Sequence, residues 1–386
     1  MPQALDLVDV YEASDHGPLF LKPSAPGTFS RLRSDQSASD PHVIDRAMLF
    51  LQQTLIDYVY SPGALAPCSR STFEGRGWQT SRHYPGRADP PADGSVVHSV
   101  LVDGSLPRFW GVQVAFATED ARRPTGFYLS PGQVATVTVP ESMIQTENAK
   151  QFKILVGGQT SDNTIKDMHR RMDRTTVTYR IRAVTTLVTN PLGGALYILV
   201  PYLADAGVVE IRITGGVVPS PHFRRVSFHA MTNADWQVAR GAAGPWADFE
   251  TDHFMLNVPT SWVYNLPDAV DLMRHYNLAM DGASEWLGYP PHLRHRPVLF
   301  IAADLHIAQT AFGVGYPQVN VEYNTVANYG GYANEWMVRD PTASYVTWHE
   351  LGHACLNSKY YGEEEAINNF MYTYILHVRE WDPNPL

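Results

Sequence analysis

The residues best suited to chemistry are two histidines and a glutamate in the segment W-H-E-L-G-H, residues 348–353. His349 and His353 are four residues apart, so on a helix both imidazoles lie on one face and can bind one metal ion. Zinc accepts neutral imidazole nitrogens as ligands. Glu350, next to the first histidine, can take a proton from the attacking water. The segment therefore predicts a zinc-dependent hydrolase, with two surface histidines beside a salt-bridging glutamate as the structural alternative.

A third ligand would distinguish these two interpretations. Two histidines and one carboxylate leave a fourth position for water, which is the arrangement of catalytic zinc sites. Glu363, Glu364 and Glu365 follow at the start of a second predicted helix, which could return past the first and present one carboxylate. Acidic residues are also favoured at any helix N-terminus. On a helix Glu365 shares a face with Asn368 and Asn369, and Asn369 could orient a ligand by a hydrogen bond.

The elements that must position these residues lie in a region of mixed α and β structure, which we assign to residues 231–386. Asp340-Pro341 opens the predicted helix that carries the two histidines, and a second helix is predicted over EEEAINNFMYTYILHVRE. The residues after Pro267-Asp268 have the spacing of an amphipathic helix, and RPVLFIAAD is predicted to be a strand. A glycine-rich and then extended stretch follows at GVGYPQVNVEY.

A different pattern occupies residues 66–230. Short β-branched runs there alternate apolar and polar residues and are separated by glycine and proline. This spacing predicts an antiparallel β-sandwich module. Residues 1–65 form an N-terminal arm and helix: residues 1–40 are expected to be irregular, and DPHVIDRAMLFLQQTLIDYVY predicts a helix. The expected fold class is α+β, a sandwich module followed by a mixed α/β domain.

Composition excludes several classes of function. The net charge is −10, from 29 basic and 39 acidic residues, which argues against a nucleic-acid or anionic-membrane binder. No run of 18 apolar residues occurs, so no integral membrane segment is expected. Two cysteines, Cys68 and Cys355, exclude a disulfide scaffold and a cysteine zinc cage, and they favour two free thiols over one bridge. The N-terminal residues lack the basic start and apolar core of a secretory signal.

The segment around the two histidines and the three glutamates resembles a known family. H-E-L-G-H followed by G-E-E-E-A-I-N-N is similar to the gluzincin pattern of the enhancin-like, mucin-targeting zinc peptidases, peptidase family M60. Four upstream segments resemble the family in the same order: R-P-T-G-F-Y-L-S-P-G at 123–132, N-P-L-G-G-A-L-Y-I at 190–198, P-W-A-D-F-E-T-D at 245–252 and G-Y-P at 315–317. Five ordered matches over residues 110–370 are more specific than the zinc motif alone, because context confirms a motif.

The resemblance implies a zinc metalloendopeptidase with one Zn²⁺ per chain and a zincin-type catalytic domain in residues 231–386. Aligned on the family pattern, His349, His353 and Glu365 are the zinc ligands, with Glu364 as the alternative third ligand. Glu350 is then the catalytic base. The resemblance further implies a protein or glycoprotein substrate, often of mucin type, in a secreted or cell-surface setting.

Two features depart from the family pattern. Residues 354–357 (A-C-L-N) stand where the family often has an aromatic residue and glutamine. The chain also ends at Leu386, where the family usually continues with a further helical region, so we expect a catalytic domain that is incomplete at its C-terminal end. Tyr372, Tyr374 and His377 are candidates for stabilising the oxyanion, and helix packing explains them equally well.

Substrate contacts are predicted for two further segments. RPVLFIAADLHI could hold an extended substrate at a strand edge by main-chain hydrogen bonds, with a plain core strand as the alternative. Gly313, Gly315 and Tyr316 could line the cleft, since glycine lets a backbone approach closely. Two other functions stay open. One is a glycan- or protein-binding module with a degenerate or incomplete peptidase site, and the other is an intracellular regulator derived from a peptidase.

Overall fold

The computed structural model describes residues 2–21, 32–33, 42–60, 70–107, 120–144, 151–164, 168–252, 254–289, 300–304, 311–312, 318–320, 336–339, 341, 345–355 and 362–377. Its α-helices are α1 (Pro2–Ala13), α2 (Val43–Leu55), α3 (Arg70–Phe73), α4 (Asn233–Ala239), α5 (Thr260–Val263), α6 (Ala269–Trp286), α7 (Trp336–Arg339), α8 (Tyr345–Cys355) and α9 (Glu364–Ile375). None of the helices within these ranges combines the length and the hydropathy that a bilayer span requires.

The strands, in chain order, are β1 (Leu32–Arg33), β2 (His98–Ser105), β3 (Ala121–Leu129), β4 (Val134–Thr138), β5 (Lys153–Val156), β6 (Met168–His169), β7 (Val177–Arg180), β8 (Thr185–Thr189), β9 (Gly194–Val200), β10 (Asp205–Gly215), β11 (Val217–Pro219), β12 (His222–Val226), β13 (His229–Ala230), β14 (Trp246–Thr251), β15 (Met255–Pro259), β16 (Phe300–Asp304), β17 (Ala311–Phe312) and β18 (Gln318–Asn320).

Two antiparallel sheets pack face to face in the first half of the chain. One has the strand order β2-β10-β4-β8 and the other β11-β3-β9-β5-β7. Every neighbouring pair in both sheets is antiparallel. Side chains from the two sheets share one hydrophobic core, for example Val137 and Ile211 from the first sheet and Ile154 and Ile198 from the second. The antiparallel β structure predicted from the alternating runs is confirmed.

The five-stranded sheet is buried on both faces. In β9, Leu196 and Ile198 belong to the sandwich core, whereas Ala195 and Tyr197 belong to the core of the next sheet. Successive side chains of a strand point to opposite faces, so this strand must be apolar at nearly every position. Its sequence, G-A-L-Y-I-L-V, meets that requirement. The five-stranded sheet is therefore the middle layer of the molecule.

The second half of the chain adds a mixed sheet covered by helices. Its strand order is β13-β12-β14-β15-β16-β18-β17. The pairs β12–β14, β15–β16 and β16–β18 are parallel, and the others are antiparallel. Helices α6, α8 and α9 contribute side chains such as Tyr276, Trp348 and Met371 to the core of this sheet. The predicted α6 is confirmed, and Asp268 caps it by accepting a 2.8 Å hydrogen bond from the Asp271 amide.

The strand predicted to hold substrate has no free edge. β16 lies between β15 and β18 and pairs with both, so its main-chain groups are already used on each side. The prediction of a substrate-binding edge in RPVLFIAADLHI was therefore wrong for residues 300–304, because periodicity identifies a strand but not its place in the sheet. Among the described strands, β17 is the edge on this side. His306, Gly313, Gly315 and Tyr316 lie outside the described residues.

The N-terminal segment contains a helix that the sequence analysis missed. Residues 1–40 were expected to be irregular, yet Pro2–Ala13 is helical. Leu5, Val8 and Tyr11 are buried at helical spacing against the sandwich core. Glu12 is also buried, and its carboxylate accepts hydrogen bonds from the Thr80 amide (2.8 Å) and hydroxyl (2.6 Å). The helix predicted over residues 40–60 is confirmed as α2 and a following π-helical turn.

A buried ion pair joins the sandwich to the mixed sheet. Arg171 precedes β7 and is 1% exposed, and Asp304 at the end of β16 is 0% exposed. Two 2.8 Å hydrogen bonds run from the guanidinium Nε and Nη2 to the two carboxylate oxygens. The other donors of Arg171 reach main-chain oxygens of Met172, Asp173 and Ser161. The pair fixes the end of β16 against the first half of the chain.

Strand β14 supplies two more buried acids to this junction. Asp248 accepts hydrogen bonds from the Tyr197 hydroxyl and the Asn257 amide, both at 2.9 Å. Burial raises the pKa of Asp248 to about 6. Glu250 pairs with Arg224, whose guanidinium also donates to carbonyls of the sandwich. The acids of the P-W-A-D-F-E-T-D segment therefore hold two layers of the fold together.

Candidate metal centre

Three potential ligands converge where α8 meets α9. His349 and His353 lie one turn apart on α8, and their Nε2 atoms are 3.2 Å apart. Glu365, in the first turn of α9, places one carboxylate oxygen 2.9 Å from His349 Nε2 and the other 3.4 Å from His353 Nε2. Within the described residues this is the one group of three such side chains close enough to share an ion. The structure brings together the three residues that the sequence singled out.

A glycine allows the two helices to approach this closely. Gly352 follows His349 by one turn and faces α9, where Asn368 and Met371 lie against it. A Cβ added at Gly352 would lie 2.5 Å from Asn368 Oδ1 and 2.6 Å from Met371 Cε, closer than real Cβ contacts allow. The sequence alone assigns this glycine no role. The signal was visible as the G of H-E-L-G-H, but only the partner helix explains it.

The orientation of the first histidine is fixed from α9. The Asn369 side-chain oxygen lies 3.0 Å from His349 Nδ1. An amide oxygen can only accept, so in this arrangement Nδ1 is the donor, and a neutral imidazole then presents its Nε2 lone pair toward Glu365. The preceding residue, Trp348, donates a 2.7 Å hydrogen bond from its indole to the Pro341 carbonyl and packs on Tyr276. These contacts also fix α8 in place.

Glu350 has the environment of a general base. It is half-buried on α8 and directly follows His349. Burial raises the pKa of Glu350 to about 7, against a lowering effect of His349 and with a smaller further increase from Glu365. A carboxylate with a pKa near neutral can both accept and return a proton.

The donor set fits a bound zinc ion. Two imidazole Nε2 atoms and a carboxylate face one another, and neutral imidazoles beside a carboxylate offer a set of acceptors that a cation between them would satisfy. Zinc–ligand bonds of about 2.0–2.1 Å at tetrahedral angles separate the ligand atoms by roughly 3.3 Å. The two Nε2 atoms are 3.2 Å apart, and they lie 2.9 Å (His349) and 3.4 Å (His353) from the two different oxygens of Glu365. These distances are close to that spacing. Three protein ligands leave a fourth position for water or substrate.

The other predicted site residues have different outcomes. Tyr372 is half-buried and packs against the core of the mixed sheet, and His377 is exposed. A role for Tyr372, Tyr374 or His377 at the oxyanion stays a prediction. The side chains of Glu364 and Cys355 lie outside the described part of the structure, as does Cys68.

Comparison with known families agrees with this geometry. Residues 216–379 match the family "Peptidase M60, enhancin and enhancin-like", and residues 111–214 match the "N-terminal domain of M60-like peptidases". The chain belongs to the M60 peptidase family. The resemblance drawn from the five ordered segments is confirmed. In this M60 chain the first matched region contains most of the sandwich, and the second contains the mixed sheet with α8 and α9.

Solved structures and curated proteins place this M60 chain among longer relatives. IMPa from Pseudomonas aeruginosa, in complex with an O-glycopeptide, is 13% identical with a TM-score of 0.55, over 90% of this chain and 42% of that one. The catalytic module of the metalloprotease ZmpA from Clostridium perfringens is 14% identical with a TM-score of 0.52, over 75% of this chain and 58% of that one. Both similarities concern the fold alone. TRPM8 channel-associated factor 3 of Rattus norvegicus is 28% identical over 243 residues, which is 63% of this chain and 25% of that protein. The chain thus spans about a quarter of that curated relative.

Proposed function

We propose that this M60 chain is a zinc-dependent metalloendopeptidase. His349, His353 and Glu365 hold one Zn²⁺, and Glu350 is the general base. The observation that carries the proposal is the convergence of three potential ligand side chains, whose nearest nitrogen and oxygen atoms are 2.9–3.4 Å apart, beside the half-buried carboxylate of Glu350. The family match supports the class of reaction.

The residues of the site divide the work of peptide hydrolysis. When bound, zinc supplies Lewis-acid chemistry, polarising a carbonyl and lowering the pKa of water. Glu350 takes a proton from the attacking water and passes it to the leaving amine nitrogen. Its pKa of about 7 suits both transfers near neutral pH. Asn369 keeps the Nε2 lone pair of His349 directed at the site throughout.

A protein or glycoprotein chain is the substrate class that we propose. The Glu365 side chain is 79% exposed, so within the described residues the site is open to a large ligand. Edge strand β17 contacts α8 and would hold an extended peptide by main-chain hydrogen bonds. The O-glycopeptide bound to IMPa supports glycosylated peptides as the first substrates to test.

We also propose that the chain has two main domains, one formed by the sandwich and the other by the mixed sheet with its helices.

The experiment pairs metal content with hydrolysis. Wild-type protein should bind about one zinc and cleave an O-glycopeptide or a glycoprotein, with products identified by mass spectrometry. Glu350→Gln should keep the zinc and lose about 100-fold or more in activity, because a general base contributes roughly 10²–10⁴. Glu363→Gln, an exposed acid at the start of α9, is the matched control and should retain both. Full activity in Glu350→Gln would refute the assigned role.

The second candidate is a binding function: the chain would be a protein- or glycan-binding module whose metal site is inactive. The name of the rat relative, a channel-associated factor, favours this alternative. It predicts binding to glycoproteins that survives removal of zinc by a chelator. Retained binding without any cleavage products would support this reading over the peptidase.

A further inference from the structure

Asn368 is a polar residue on the buried face of α9. Its side chain is 0% exposed, and its neighbours on that face, Met371 and Ile375, are apolar. Within the described part of the chain, neither its amide nitrogen nor its amide oxygen has a hydrogen-bond partner. A buried polar group without a partner destabilises a fold, and an apolar residue of similar shape would avoid that penalty. Packing alone therefore does not explain an asparagine at this position.

The amide rests directly on the backbone of α8. The position of a Cβ at Gly352 is 2.5 Å from Asn368 Oδ1 and 2.7 Å from its Cγ. An oxygen can approach a Cα–H group to about 3.3–3.6 Å, whereas carbon atoms prefer about 3.5–4.0 Å. A glycine facing an amide oxygen therefore gives a closer helix contact than a glycine facing a methyl group.

This contact lies between the metal ligands. Gly352 immediately precedes His353 and is one turn beyond His349, while Asn368 is one turn beyond Glu365. A change in the separation of the helices at this point moves Glu365 relative to both imidazoles. The 2.9 and 3.4 Å distances from the carboxylate to those rings depend on that separation.

We infer that Asn368 is a positioning residue: its amide lets α8 and α9 approach closely enough for Glu365 to reach the two histidines, which a bulkier apolar side chain would prevent. The inference rests on the proposed zinc site. This role explains the buried amide: the fold loses some stability, and in return Glu365 lies close enough to the two histidines to share an ion with them.

The test measures zinc affinity and the stability of the metal-free protein. Asn368→Leu places methyl groups against Gly352, and Asn368→Ala removes the side chain without filling the space. Met371→Leu conserves volume at the other contact with Gly352 and is the matched control. Zinc Kd is measured by competition with a chromophoric chelator, and Tm by thermal unfolding after chelation. The absorption spectrum of the cobalt-substituted protein reports ligand geometry.

Asn368→Leu should raise the zinc Kd at least tenfold and shift the cobalt spectrum, while its metal-free Tm equals or exceeds that of the wild type. Asn368→Ala and Met371→Leu should stay within threefold of the wild-type Kd. Equal losses in the Leu and Ala variants would overturn the spacing role, and so would a lower metal-free Tm for Asn368→Leu. If the wild type binds zinc and Asn368→Leu binds it equally well, this inference is wrong and the proposed function stands. If the wild type binds no zinc, the proposed function is wrong as well.

Discussion

Breaking the ion pair between Arg171 and Asp304 should destabilise the whole chain. Both side chains are buried, at 1% and 0% exposure, and two 2.8 Å hydrogen bonds join them. Removing one partner leaves the other charge buried and uncompensated, which costs about 3–5 kcal/mol. Asp304→Asn keeps one acceptor for the guanidinium, so we expect the lower end of that range. Arg171→Met removes the cation that faces the buried Asp304 carboxylate and should reach the upper end.

Urea unfolding of four proteins measures this effect: the wild type, the two single variants and the double variant Arg171→Met/Asp304→Leu. Since a well-packed apolar pair is often neutral or stabilising relative to a buried ion pair, the double variant should recover most of the lost free energy. The coupling energy from the double-mutant cycle should then be several kcal/mol. Single variants that lose less than about 1 kcal/mol, or losses that simply add, would show that Arg171 and Asp304 do not act as a coupled buried pair.

Other perturbations have equally defined outcomes. Gly352→Ala should lower the free energy of unfolding by about 1–3 kcal/mol through overpacking, although alanine normally stabilises a helix by about 1 kcal/mol; a rise in Tm would contradict the close helix contact. Asn369→Ala should weaken zinc binding about 10- to 100-fold by releasing His349, as measured by chelator competition, and unchanged affinity would dismiss that role. Burial alone would raise the pKa of Glu250, but Arg224 lowers it to about 2. Its contribution is therefore complete above the unfolded pKa of about 4.5 and is lost as the pH falls toward 2, so acid unfolding curves of the wild type and Glu250→Gln should converge in that window.

The two proposed histidine ligands were predictable because their geometry is local. The spacing of His349 and His353 fixes both imidazoles on one helix face, whatever surrounds it. Glu365 required more, since the sequence offers three adjacent glutamates and the return of α9 past α8 is a tertiary event. The family pattern chose among them. The hydrogen bond from His349 to Asn369 followed from the same helix geometry.

Residues far apart in sequence escaped prediction. Arg171 and Asp304 are separated by 133 positions, and neither lies in a sequence motif that identifies its partner. The interior position of β16 was missed for the same reason, because strand order depends on pairings that the sequence does not encode locally. Helix α1 was missed because only three of its apolar residues face the core, too few to stand out from the polar arm that follows.

The middle layer has a consequence for the biosynthesis of this protein. During translation the five-stranded sheet emerges before the mixed sheet that covers its second face. Until that cover arrives, β9 presents Tyr197 and its neighbours to water, in a run of seven residues without a charge. Short uncharged β-prone runs of this kind are aggregation hazards when exposed. The nascent first half therefore exposes an aggregation-prone surface until the mixed sheet has been synthesised and covers it.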